Sequence, residues 1–155
     1  MVGISSSGPT TADADILAST RAGSVLLLGN STASLTTIAD VTARARRAAR
    51  PPKGVQTLLA VDQEGGLVQR LQGAGFDRIP AAVNQARYDN RTLAAKANRW
   101  GRQLRRAGID ANLAPVADVV PEAARRRNQP IAQLRRGYGS DPSGSEPKCA
   151  HSSQA

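Results

Sequence analysis

Apolar and polar positions along this chain follow two different periods. Short apolar runs of strand length recur between longer stretches in which apolar residues return every three or four positions, and that alternation predicts βαβ units around a parallel sheet. Met1 to Ile4 reads as a first strand, and Thr11 to Thr20 as a helix with Ile16 and Leu17 facing inward. Val25-Leu26-Leu27-Leu28, closed by Gly29-Asn30, shows no polar alternation, as expected of a strand covered on both faces. Ser34 is placed to cap a helix running to about Ala49, with Leu35, Ile38, Thr42 and Ala45 at helical spacing and Pro51-Pro52 stopping it. The third strand, Thr57 to Val61, ends abruptly at Asp62. A connection from Gln63 to Arg91 carries Gly65, Gly66, Gly73 and Gly75, and Thr92 then opens the clearest helix of the chain. Leu93, Ala97, Trp100, Leu104 and Ala107 share one of its faces, Lys96, Arg99, Gln103 and Arg106 the opposite one, and Gly108 is placed to end it. Ile109 to Leu113 is a weaker fourth strand. Beyond Val120 the sequence turns polar, and residues 143–155 read as a solvated, disordered tail.

Four strands with three intervening helices make about half a (β/α)8 barrel, and 155 residues are too few for a complete one, which takes about 250. The expected fold class is therefore α/β: an incomplete TIM barrel of about the first four β/α units in residues 1–142, followed by the tail. Half a barrel leaves two unpaired strand edges and an uncovered inner face, so the isolated chain is expected to be marginally stable and prone to associate.

Composition sharpens this picture in three ways. Only Phe76, Trp100, Tyr88 and Tyr138 are aromatic, so the core must be built from Ala, Val, Leu and Ile, which suits helices laid on parallel strands. The net charge of +9 raises nucleic acid as a partner, but the arginines fall along helix faces (Arg44, Arg46, Arg47, Arg50; Arg99, Arg102, Arg105, Arg106) and in one loop, with no nucleic-acid-binding motif beside them. A solvated helix face is the preferred reading, and no nucleic-acid partner is expected. Cys149 and His151 are each the only residue of their kind, which rules out an intramolecular disulfide and is too few for a metal site. No run approaches the about 18 apolar residues of a membrane span, and no export signal is visible at the start. An upstream segment could carry one, so the compartment stays undetermined.

Candidate chemistry concentrates in Ala60-Val61-Asp62-Gln63-Glu64-Gly65-Gly66-Leu67-Val68-Gln69-Arg70-Leu71. It sets an acid at the C-terminal end of a buried strand, where ligands bind in parallel α/β folds, with a second acid, a glycine turn and an arginine close behind. Ionised carboxylates accept hydrogen bonds from adjacent sugar hydroxyls. The same residues also allow a purely structural reading, in which Asp62 caps the loop and Glu64 pairs with Arg70.

With its neighbours, the segment closely resembles the signature of glycoside hydrolase family 3 enzymes of the β-N-acetylhexosaminidase type. The resemblance rests on Val61 to Gly66, Val68 to Leu71 and Ile79-Pro80. It continues in order through Leu104 to Asp110, Asn112 to Val119 and Arg136-Gly137-Tyr138-Gly139-Ser140-Asp141-Pro142, with Gly23 to Asn30 upstream. It implies a retaining glycosidase acting on terminal β-linked N-acetylhexosamine (GlcNAc) of cell-wall or chitin-derived saccharides, with no metal or organic cofactor. Residue by residue it makes Asp62, Arg70 and Arg136 substrate-binding, Arg135 leaving the last register open by one, and makes Glu64 and Asp118 loop supports. The family's Lys-His block, its loop histidine acid/base and its aspartate nucleophile have no counterpart in this sequence, so no catalytic residue is expected here. A sugar-binding module without catalysis is the alternative in a different class, and a basic nucleic-acid-associated protein a third, favoured only if DNA retention proved salt-dependent.

Overall fold

The computed structural model describes residues 1–153, which divide into two compact units. The first comprises residues 1–62, 70–76 and 103–113, and the second residues 63–69, 77–102 and 114–153.

The first unit is built on a parallel four-stranded sheet, β1 (Val2–Ser5), β2 (Ser24–Leu28), β3 (Leu58–Val61) and β6 (Ala111–Asn112), adjacent in that order. Helix α1 (Thr11–Thr20) joins β1 to β2, and α2 (Leu35–Ala49) joins β2 to β3. Both begin where side-chain caps dictate. The Thr10 hydroxyl accepts the Asp13 amide at 3.2 Å while the Asp13 carboxylate accepts the Thr10 amide at 2.9 Å, a reciprocal box that holds the Asp13 carboxyl below its ordinary range. Ser34 accepts the Thr37 amide at the start of α2.

One face of the sheet is closed. Ile4, Val25, Leu27, Leu59 and Val61 pack with Leu17, Leu35, Ile38, Val41 and Ala45 into a single apolar cluster that also takes Leu104, Ala107 and Ile109. The opposite face is more open, and here the expectation of a strand covered on both sides fails: β2 alternates buried and partly open positions, with Leu28 45% exposed, and in β3 Leu58 is 40% exposed while Ala60 is fully buried. Ile16 also departs from expectation. It is 49% exposed, because only Leu17 of that pair turns to the sheet.

The fourth strand is shorter than its apolar run. Gly108, at φ +76°, ends helix α4 (Asn90–Arg106) where an added Cβ would stand 2.4 Å from the Thr42 hydroxyl, and Ile109 is drawn into the core, so pairing with β3 begins only at Ala111. That hydroxyl donates to the Ala107 carbonyl at 2.9 Å, fixing the helix end. Helix α4 starts two residues before Thr92, because Asp89 is the cap: it accepts the Thr92 amide at 2.8 Å and the Thr92 hydroxyl at 2.7 Å, and these bonds lower its carboxyl's pKa.

The second unit holds the antiparallel pair β4 (Gln63–Gly65) and β5 (Val68–Gln69), the short helix α3 (Ala82–Gln85), all of α4 but its last turn, and a C-terminal helix α5 (Pro142–Ser152). Helix α5 replaces most of the expected disordered tail; Gln154 and Ala155 lie outside the described residues. Its composition is poor for a helix, with Pro147 inside it, so tertiary bonds must carry it: Lys148 donates to the Tyr88 carbonyl, and the Tyr138 hydroxyl is hydrogen-bonded to Ser152 at 2.9 Å. Among the described residues, no helix is long and apolar enough to cross a membrane.

Candidate functional site

In the first unit the polar candidates gather past the C-terminal ends of the strands. Register pairs Ser5 with Leu28, Leu27 with Val61 and Val61 with Asn112, so the residues that follow, Ser6, Asn30 and Asp62, come off the same edge of the sheet. Asp62 is half-buried there, and its carboxylate makes no hydrogen bond or ion pair among the described residues. Arg70 is delivered to this edge by its neighbours. Leu71 is fully buried in the core and bridges Ser31 in parallel fashion, with the Ser31 amide donating to the Arg70 carbonyl at 2.7 Å and the Gln72 amide to the Ser31 carbonyl at 2.9 Å. The Arg70 guanidinium then donates to the Asn30 amide oxygen at 3.1 Å. Asn30 is a member of this edge that sequence reasoning gave no role; its one signal was a polar side chain directly after a buried strand.

In the second unit, Gly65 and Gly66 turn the chain from β4 to β5 with φ of +103° and +59°. They do more than permit the turn: a Cβ on Gly65 would lie 2.4 Å from the Pro80 carbonyl, and the Gly66 amide donates to the Ile79 carbonyl at 2.9 Å. Two buried glutamines hold this packing. Gln69 accepts the Ile79 amide and donates to the Asp77 carbonyl, while Gln85 donates to the carbonyls of Glu64 and Pro80 and accepts the Tyr138 hydroxyl at 2.7 Å. Burial pushes the Tyr138 phenol up to about 12.

On this support Glu64, with its side chain 7% exposed, meets Arg136 in a two-pronged ion pair: Nε to Oε2 at 2.9 Å and Nη2 to Oε1 at 2.7 Å. A third donor of Arg136, Nη1, goes to the Pro130 carbonyl at 2.9 Å. The alternative pairing of Glu64 with Arg70 is therefore overturned: Glu64 takes Arg136, and Arg70 takes Asn30. Arg135, the neighbour in the uncertain register, donates instead to Asn84 at 3.2 Å. Asp118 is exposed in the irregular stretch 113–121, where its carbonyl, not its carboxylate, approaches Gly137. The cluster of Asp62 and Arg70 thus lies in one unit and that of Glu64, Arg136 and Asp118 in the other. No group of three or more metal-ligating side chains occurs among the described residues.

In parallel α/β folds ligands bind past the C-terminal ends of the strands, the edge on which Asp62 and Arg70 stand. The sequence matches the Glycosyl hydrolase family 3 N terminal domain over residues 2–146, and the chain belongs to that family. A solved β-N-acetylhexosaminidase from Beutenbergia cavernae is 37% identical with a TM-score of 0.94, covering 99% of this chain and 46% of its own. Proteins named beta-hexosaminidase are similar too: that of Idiomarina loihiensis is 34% identical over 77% of this chain and 36% of its own, and that of Xylella fastidiosa 30% identical over 92% and 41%. The chain thus spans less than half the length of these relatives.

Proposed function

We propose that these residues form about the first four β/α units of a (β/α)8 barrel in a retaining glycosidase that removes terminal β-linked N-acetylhexosamine, and that they supply sugar binding without the reacting groups. The observation that carries this is the Asp62 carboxylate, which stands at the C-terminal edge of a parallel sheet and makes no hydrogen bond or ion pair among the described residues. Its two oxygens can accept adjacent hydroxyls of a pyranose ring, and Arg70, steadied by Asn30, can donate to a further one. In the second unit Arg136, held by Glu64 and the Pro130 carbonyl, is the third residue assigned to the sugar. Retaining hydrolysis also needs a carboxylate nucleophile and a proton donor on opposite faces of the glycosidic bond, and in this reading these come from residues outside these 155.

The test is hydrolysis of an aryl β-N-acetylglucosaminide. The 155 residues alone should give none, whereas their fusion to the C-terminal half of a family relative should turn over. Asp62→Ala in the fusion should then lower kcat/KM by at least about a hundredfold, since hydrogen bonds to a charged acceptor are worth about 1.5–3 kcal/mol each. Turnover by the 155 residues alone, abolished by Asp62→Ala and absent from a mock purification, would overturn the reading.

A further inference from the structure

The second unit carries a cleft of about 540 Å³ that the proposed sugar contacts do not use. Leu67, Pro80, Ala81 and Leu134 give it an apolar wall, and Arg78 and Arg135 line it with charge. No carboxylate is among the residues that line it. Arg78 makes no hydrogen bond or ion pair among the described residues, and the one hydrogen bond of the Arg135 guanidinium goes to Asn84, a neutral partner that also lines the cleft. Both guanidinium groups are exposed and have no carboxylate partner among the described residues, so they stand open to an anion beside the apolar wall. Arg135 is moreover held at φ +59°, a backbone region that arginine rarely adopts and that fixes where its side chain leaves the chain.

We propose that this cleft binds an acidic sugar residue, its carboxylate taken by Arg78 and Arg135 and the C–H face of its ring laid on the apolar wall. Guanidinium pairs carboxylate through parallel N–H donors, and a pyranose offers the remaining amphipathic surface. That the ligand is a saccharide rests on the glycosidase reading above; that it is anionic does not.

The experiment is a titration of the ¹⁵N-labelled chain with D-glucuronate, its uncharged methyl ester and inorganic phosphate. Glucuronate should shift the amides of Leu67 and Ala81 and the side-chain amide of Asn84, and the ester should bind at least about tenfold more weakly. Arg78→Gln and Arg135→Asn, the latter chosen because asparagine tolerates positive φ, should each weaken glucuronate about tenfold while leaving the spectrum folded. The proposal is overturned if glucuronate leaves these amides unmoved, if the ester binds as well, or if phosphate binds as tightly. N-acetylglucosamine on the same spectra separates the two readings. Movement of Asp62 and Arg70 by N-acetylglucosamine with a cleft silent to glucuronate sinks this proposal alone, and a cleft that responds to glucuronate with Asp62 unmoved by N-acetylglucosamine counts against the sugar site at Asp62.

Discussion

The two ends of the parallel sheet in the first unit treat their charges in opposite ways. At the N-terminal end Arg46 donates to the carbonyls of Thr57 and Gly108 and, at 2.7 Å, to the Asp110 carboxylate, which accepts the Leu59 amide at 2.8 Å. Together these contacts tie α2 and the starts of β3 and β6 to one another, so the arrangement is closed on itself. At the C-terminal end Asp62 is half-buried with no hydrogen bond or ion pair among the described residues, and Arg70 leans on a neutral asparagine. One carboxylate is spent on holding the fold; the other is kept available. A half-buried charge left unpaired costs stability, and a ligand that pairs with it returns that cost as affinity.

The Glu64–Arg136 ion pair sets the scale for a charge that holds its own unit together. Glu64→Ala should destabilise by about 3–5 kcal/mol, because it strands Arg136, 25% exposed, without its carboxylate. Denaturant melts of the two proteins would measure it. A loss below about 1 kcal/mol would mean that the ion pair is no stronger than a surface contact.

Next in size is the buried hydroxyl of Tyr138. Its ionisation is raised from the usual 10 to about 12 by burial, so the folded state favours the neutral phenol. That stabilisation is present in full below about pH 10 and is lost as pH rises toward 12, a swing of about 2–3 kcal/mol. Melting temperatures across pH 8 to pH 12 should therefore fall at the alkaline end, and Tyr138→Phe should flatten that fall.

Much of the first unit could be read from the sequence, and the reasons are local. Helix α1 matched its expected span because Thr10 and Asp13 form a capping box within four residues, and β3 stopped where an acid ends an apolar run. The second unit was hidden for reasons equally physical. Gln69 and Gln85 are buried by satisfying backbone carbonyls and amides, and glutamine gives no apolar pattern to read. Glu64 finds Arg136 across 72 positions, and α5 is held by bonds from Tyr88 and Tyr138 that no window around it contains. At the Asp62 edge the acid and Arg70 were legible from their motif, whereas Asn30 was not, since a lone asparagine after a glycine looks like any turn.

Asp110→Ala then probes the closed end of the sheet directly. It removes the acceptor of the Leu59 amide and the partner of Arg46, but the pair is partly solvated, with side chains 33% and 43% exposed, so screening reduces its worth. A loss of about 1–2 kcal/mol is expected, most of it from the unsatisfied strand amide. A variant as stable as the parent would show that the strand start does not depend on the clamp.

Asp62→Ala should have the smallest effect on stability and is the sharpest test of the contrast. Since its carboxylate makes no hydrogen bond or ion pair among the described residues, removing it breaks nothing, and the change in unfolding free energy should stay within about 0.5 kcal/mol of zero. A slight gain in stability is allowed, because a half-buried charge is removed. The same substitution should abolish the response of the sheet edge to N-acetylglucosamine, so stability and binding come apart at this one residue. If Asp62→Ala instead costs as much as Asp110→Ala, the carboxylate is a structural cap, the two ends of the sheet are alike, and the sugar-binding role assigned to this edge loses its foundation.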